Sequence, residues 1–162
     1  MKKIVFMILV ATVWFACKEE VNVDVVNVKF DEKTYLTQKQ LWQSSNIQDY
    51  RYEIFSHGFS IYHAEITVEN GDFKEEVLLN EDASSIIPNY TTIDKIFESI
   101  GSVFYNYQGS QKSDYYCTEI SVEYDKVNHI PIQVRFEYYV SPDLAVDGNY
   151  QFDISNFSTN DP

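Results

Sequence analysis

The chain has 162 residues, with 25 acidic against 12 basic side chains for a net charge of −13, and 16% aromatic residues dominated by 13 Tyr and 11 Phe. Phosphate binding needs clustered Lys and Arg, and Arg51 and Arg135 are the only arginines, so nucleic acid is excluded as a partner. Two cysteines cannot build a disulfide framework, and His57, His63 and His129 lack the spacing of zinc ligands; no metal and no cofactor is expected.

The first twenty residues, MKKIVFMILVATVWFACKEE, set the context. Two lysines precede 13 uncharged residues (4–16), too few to cross a bilayer, which needs about 20. A basic start, a short apolar core and a small residue at its end make a secretory signal. The segment resembles a bacterial lipoprotein signal, in which a small residue, here Ala16, precedes a cysteine that is lipidated on sulfur and becomes the new N-terminus. Trp14 and Phe15 stand where a leucine and a small residue are commoner. Cys17 is therefore the expected lipidation site and the lipid bilayer the expected partner of its acyl chains. Lys18 stands where an aspartate would signal inner-membrane retention, and with Glu19 and Glu20 it resembles a surface-export signal. The expectation is an outer-membrane lipoprotein of a bacterium, facing the periplasm or exposed at the surface. Removing residues 1–16 takes Lys2 and Lys3 with them and leaves 10 basic against 25 acidic residues, a net charge of −15 on 146 residues. That is one domain with a real core.

Residues 17–35 read as a tether, with valines at 21, 23, 25, 26 and 28 that also suit an edge strand. Thr37 with Gln40 matches a capping box, which predicts a helix at about 37–45 with Leu36, Leu41 and Trp42 on its apolar side. The alternation of residues 49–55 and 61–69 predicts two strands. Asn70-Gly71 is a strong hairpin signal, and a third strand returns over 72–79. After a polar loop, Thr92 caps a helix at about 92–107 whose Ile93, Ile96, Phe97, Ile100, Val103, Phe104 and Tyr107 recur at helical spacing. Gly101 inside it suits a close approach to the sheet. Strands follow at 119–124, 130–140 and 150–154, the first two joined by a turn at 125–129. The fold class is α+β: a one-sided antiparallel sheet of about five to six strands with the two helices packed on one face, forming a single domain over 36–158.

Trp42, the run Ile47-Gln48-Asp49-Tyr50-Arg51-Tyr52, then Val68-Glu69-Asn70-Gly71, Thr92-Ile93-Asp94-Lys95-Ile96-Phe97, Val122-Glu123-Tyr124-Asp125 and Ile130-Pro131-Ile132 resemble, in that order, a bacterial family of unknown function. The resemblance covers residues 41–157. It implies a small exported protein, often a lipoprotein, and carries no activity and no catalytic residues. The first hairpin of that family often holds cysteines, where this chain has Ser56-His57-Gly58-Phe59.

Catalytic chemistry finds little support. Pairing Val122 with Val134 places Cys117 opposite Tyr139 and His129 about 25 Å away at the far end of the hairpin, so Cys117 reads as a structural thiol. Asp143 and Asp147 match two positions of a calcium loop, but Ala145 and Ile154 occupy ligand positions. Glu119 and Glu123 share a face with Arg135, opposite Ser121, as a cross-strand charge ladder. A polar recognition face including Arg51, His63 and Arg135 is the one site reading that remains. The functional expectation is a membrane-anchored, non-catalytic binding module for an unidentified protein or glycan partner. The rival is a small-ligand or glycan binder with a tyrosine-lined cleft between helix and sheet.

Overall fold

A computed structural model describes residues 24–57, 62–80, 90–145 and 148–159. Helix α1 (Glu32–Ser45) is followed by strands β1 (Tyr50–His57), β2 (Tyr62–Glu69) and β3 (Asp72–Leu78). Helix α2 (Ile93–Tyr107) then leads to β4 (Tyr115–Tyr124), β5 (Pro131–Val140) and β6 (Asn149–Thr159). The strands form one open antiparallel sheet in the order β3-β2-β1-β6-β5-β4, so the expected α+β class is observed.

Two local meanders make this sheet. In β1-β2-β3 the tight turn is Asn70-Gly71, both residues at positive φ (53° and 79°), as a type I′ hairpin requires. In β4-β5-β6 the first turn is built on Asp125, whose carboxylate accepts the backbone N–H groups of Val127 and Asn128. Antiparallel pairing of β1 with β6 welds the meanders together. As a result β3 and β4 lie on opposite edges, about 24 Å apart at 4.8 Å per strand. Helix α2, about 22 Å long for 15 residues, lies on the path between them.

Both ends of α2 are fixed chemically. A helix leaves its first N–H groups without internal partners. Here Thr92 Oγ1 accepts from Lys95 N at 3.1 Å, and the buried Tyr50 hydroxyl on β1 accepts from Ile93 N at 3.0 Å. At the other end Gly109 N donates to Val26 O, beyond the far edge of the sheet. The stripe Ile93, Ile96, Phe97, Ile100 and Phe104 is buried against Tyr50, Tyr52, Ile54, Ile66, Val134, Phe136 and Phe152. At roughly 1.5–3 kcal/mol per buried side chain, this layer dominates the stability.

Helix α1 differs from the sequence expectation. It begins at Glu32, five residues before the predicted start, because Asp31 is the N-cap: its carboxylate accepts from Thr34 N and Thr34 Oγ1. Thr37 lies inside the helix and donates to Lys33 O. The buried face is Tyr35 and Trp42, two turns apart, while Leu36 and Leu41 are 49% and 40% exposed. Asn46 ends the helix in the left-handed region. In the segment before the helix Val26 and Val28 are buried, and Lys29 pairs in parallel with Glu119 on the edge of β4.

Gly101 of α2 allows a close approach to α1 rather than to the sheet. A Cβ at this position would lie 2.5 Å from the Tyr35 hydroxyl, which is held by a 2.9 Å bond to Phe97 O. Alanine gains about 1 kcal/mol in helix propensity over glycine, but the overlap costs roughly 1–3 kcal/mol. Gly101→Ala is therefore expected to lower the urea midpoint. The loss should shrink in a Tyr35→Phe background, where the clashing oxygen is gone; equal losses in both backgrounds would refute the steric account.

Candidate functional site

The register puts Arg51, His63 and Arg135 on the sheet face opposite the helices, as the alternation of the sequence predicts, but it does not gather them. Arg51 pairs across to Ser158 and Arg135 to Gln151, near opposite ends of β6. Two strands and six residues separate them, about 22 Å. Each is already engaged. Arg51 Nε donates to Ser158 Oγ at 3.0 Å. His63 Nε2 lies 3.5 Å from a Glu53 carboxylate oxygen, and its ring meets Phe55 edge-on at 5.4 Å. Arg135 donates Nε and Nη2 to Gln151 Oε1 at 3.2 and 3.0 Å, and Gln151 and Gln133 both donate to Asp153. This is a broad hydrogen-bonding surface rather than a cleft. Ser121 does sit opposite Arg135, and Glu119 accepts from Ser121 Oγ at 3.3 Å while its ion pair is with Lys29, 2.8 Å off at the strand edge.

That edge carries a groove of about 600 Å³. Lys29, Phe30, Asp31 and Thr34 form one wall; Ile120, Ser121, Val122 and Tyr124 form the other, with Glu119 between. Its charges are set by its own hydrogen bonds. The Thr34 backbone N–H, then the Thr34 hydroxyl, hold the Asp31 carboxyl below its ordinary value. The Lys29 ammonium does the same for Glu119, and Glu119 in turn raises Lys29. All three are ionised at neutral pH. Tyr124 stacks on Phe97, and its hydroxyl is shielded from solvent with no hydrogen-bond partner among the described residues.

The backbone there is also open. Lys29 N donates to Thr118 O and Ile120 N to Lys29 O, both at 2.9 Å. In a parallel ladder the next outward groups are Ile120 C=O, Val122 N–H and Val122 C=O. No backbone partner meets them among the described residues, because Asp31 has already turned the chain into α1. Sequence reading missed this groove. Its one legible signal was Asp31 three residues before Thr34, a helix-start pattern that ends an edge strand at residue 30.

Cys117 is fully buried on β4. An irregularity between Cys117 and Glu119 shifts the register by one, so its partner is Tyr138 and not Tyr139 as predicted. Burial pushes the thiol up to about 11. His129 lies in the β4–β5 turn, 3.0 Å from Gln38 Oε1 on α1, so no thiol–imidazole pair forms between them. Among the described residues no group of three or more His, Cys, Asp or Glu is placed to hold a metal; Asp147 and Cys17 lie outside those residues. The tyrosines between helices and sheet are packed and bonded rather than lining a cleft. Tyr52 donates to Tyr90 O, Tyr35 to Phe97 O and Tyr62 to Glu76.

The model of a family of unknown function, DUF6174, matches residues 34–159. The chain belongs to this family. The match takes in all six strands, α2 and nearly all of α1, and extends the resemblance read over residues 41–157. It leaves out residues 24–31, so the groove forms where the DUF6174 domain meets the segment preceding it. A search of curated proteins finds no match.

The buried hydroxyls and thiol set the alkaline behaviour of the DUF6174 domain. Burial raises Cys117 from 9.0 to about 11 and Tyr35 from 10.0 to about 12. Below pH 9 both are protonated in folded and unfolded chains alike, and their contribution is complete. Above it the unfolded chain releases its protons first, so stability falls as pH rises through about 11 and then about 12. Urea midpoints from pH 8 to 12 should decline along this course, and Cys117→Ala should remove the earlier part of the decline. Native Cys117 should react with a thiol reagent at pH 8 at least about 100-fold more slowly than in the unfolded chain; rapid native reaction would contradict its burial.

Proposed function

We propose that this DUF6174 protein is an exported lipoprotein, anchored through acylated Cys17 in a bacterial outer membrane, whose domain is a non-catalytic interaction module. The observation that carries the reading is the placement of Cys17. It follows Ala16 at the end of the uncharged run of residues 4–16 and precedes the first described residue, Asp24, by seven positions. Seven residues reach at most about 25 Å, so the acyl chains would hold the domain close to the bilayer. Each buried methylene contributes roughly 0.8 kcal/mol, and more than one chain gives stable attachment.

Two features support an interaction module. One is a broad polar sheet face with Arg51, His63 and Arg135 spread across it, suited to a macromolecular surface. The tyrosines that would line a small-ligand cleft are spent on packing and backbone hydrogen bonds instead. The net charge of −15 directs the choice of partner toward neutral or basic surfaces.

Metabolic labelling with a fatty acid tests the anchor. The wild-type chain should take up label and sediment with membranes. Cys17→Ser should lose both properties while keeping the wild-type urea midpoint, and Cys117→Ser should retain the label. Label that persists in Cys17→Ser would overturn the assignment.

A further inference from the structure

Resting on the interaction-module reading, we infer that the β4 edge at residues 120–124 is a docking groove for an extended, basic peptide segment of a protein partner. Such a segment would pair with the strand where the chain's own residues 25–29 leave off.

The backbone comes first. An uncovered strand edge is a template for another strand. Here the first half is covered from within, by Lys29 against Thr118 and Ile120. The ladder then stops because Asp31 caps α1. Ile120 C=O, Val122 N–H and Val122 C=O remain, in line with an established strand pair and facing a groove of about 600 Å³, within the range of ligand sites. The opposite edge of the sheet is defended: β3 carries a bulge at Lys74 beside Glu75 and Glu76. Between Ile120 and Tyr124, β4 has no lysine or proline, and its register shifts only at Glu123/Tyr124, where the ladder ends.

The side chains fix the occupant. Phe30 and Val122 offer apolar contact to alternate residues of an added strand. Asp31 and Glu119 line the groove, Glu123 follows beside it on the same strand, and Lys29 is already bonded to Glu119. Two anions against one cation in the lining, with Glu123 next along the strand, favour lysine or arginine on the incoming segment. A second copy of this chain, net −15, is disfavoured by the same charge. The Tyr124 hydroxyl in the same wall is shielded from solvent and has no hydrogen-bond partner among the described residues.

The probe is a capped peptide alternating valine and lysine, titrated to about 1 mM against the chain carrying Cys17→Ser and followed by amide NMR. The Val122 amide is expected to shift and to gain exchange protection. A glutamate-for-lysine peptide and an N-methylated one should each bind about tenfold more weakly. Asp31→Asn with Glu123→Gln removes two charges while keeping an equally good helix cap, and should weaken the lysine peptide about tenfold at an unchanged urea midpoint.

No binding at that concentration, equal binding of the N-methylated peptide, shifts confined to the open sheet face, or a dimer through β4 would each overturn the inference. Capture of native envelope proteins separates the two readings. Partners held equally by wild type and by the Asp31→Asn, Glu123→Gln protein would overturn the groove and leave the interaction module standing.

Discussion

The pairing of β1 with β6 is the constraint on which everything else depends. The hairpins close over a few residues, whereas Arg51 and Ser158 meet across 107 positions. Loop closure over that distance is entropically expensive and must be repaid by what it assembles. It is repaid at the centre of the sheet, where Ile54 faces Ile154 and Ser56 faces Phe152 beneath α2. The same pairing sends β3 and β4 to opposite edges. That in turn requires a connection spanning the full sheet, and α2 has the length and the apolar stripe to be that connection.

An open sheet has two edges, and the chain treats them differently. On β3, side chains do the protecting, through a bulge and a run of charges. On β4, the leading segment does it, with Val26 and Val28 buried and Lys29 in the ladder. Completing that cover would add two or three backbone hydrogen bonds, each worth roughly 0.5–1.5 kcal/mol. Leaving the edge at Asp31 forms a helix cap worth about 1 kcal/mol and permits burial of Tyr35 and Trp42 at roughly 1.5–3 kcal/mol each. The second choice wins, and the groove is its consequence.

Local features of this fold were legible in the sequence. The Asn70-Gly71 turn, the α2 stripe and the Val122–Val134 register each follow from a few neighbouring residues. Three misreadings share a cause, which is tertiary context. Local pattern starts the helix at 32–45 too late, because Thr37 with Gln40 is as good a capping box as Asp31 with Thr34. Only the packing of Tyr35 under Gly101 selects between them. The Cys117 partner was off by one because an irregularity in the ladder leaves no compositional mark. The recognition face was legible as a face, since period-two alternation assigns sides. It was not legible as a cluster, since the distance between Arg51 and Arg135 depends on strand order, which alternation does not encode.

Tyrosine abundance has a related explanation. A sheet covered by a helix must supply partners for that helix's first N–H groups while remaining apolar beneath it. Tyrosine does both with one side chain. Tyr50 packs edge-on against Trp42 at 5.4 Å and presents its hydroxyl to Ile93 N. Tyr35 packs beside Phe97 and bonds its carbonyl. Tyr52 reaches the carbonyl of Tyr90, just ahead of α2. Hydroxyls used in this way are withdrawn from ligand chemistry, whereas the Tyr124 hydroxyl at the wall of the groove has no partner among the described residues. A composition that suggests a sugar-binding cleft is thus accounted for by the joint between one helix and one sheet.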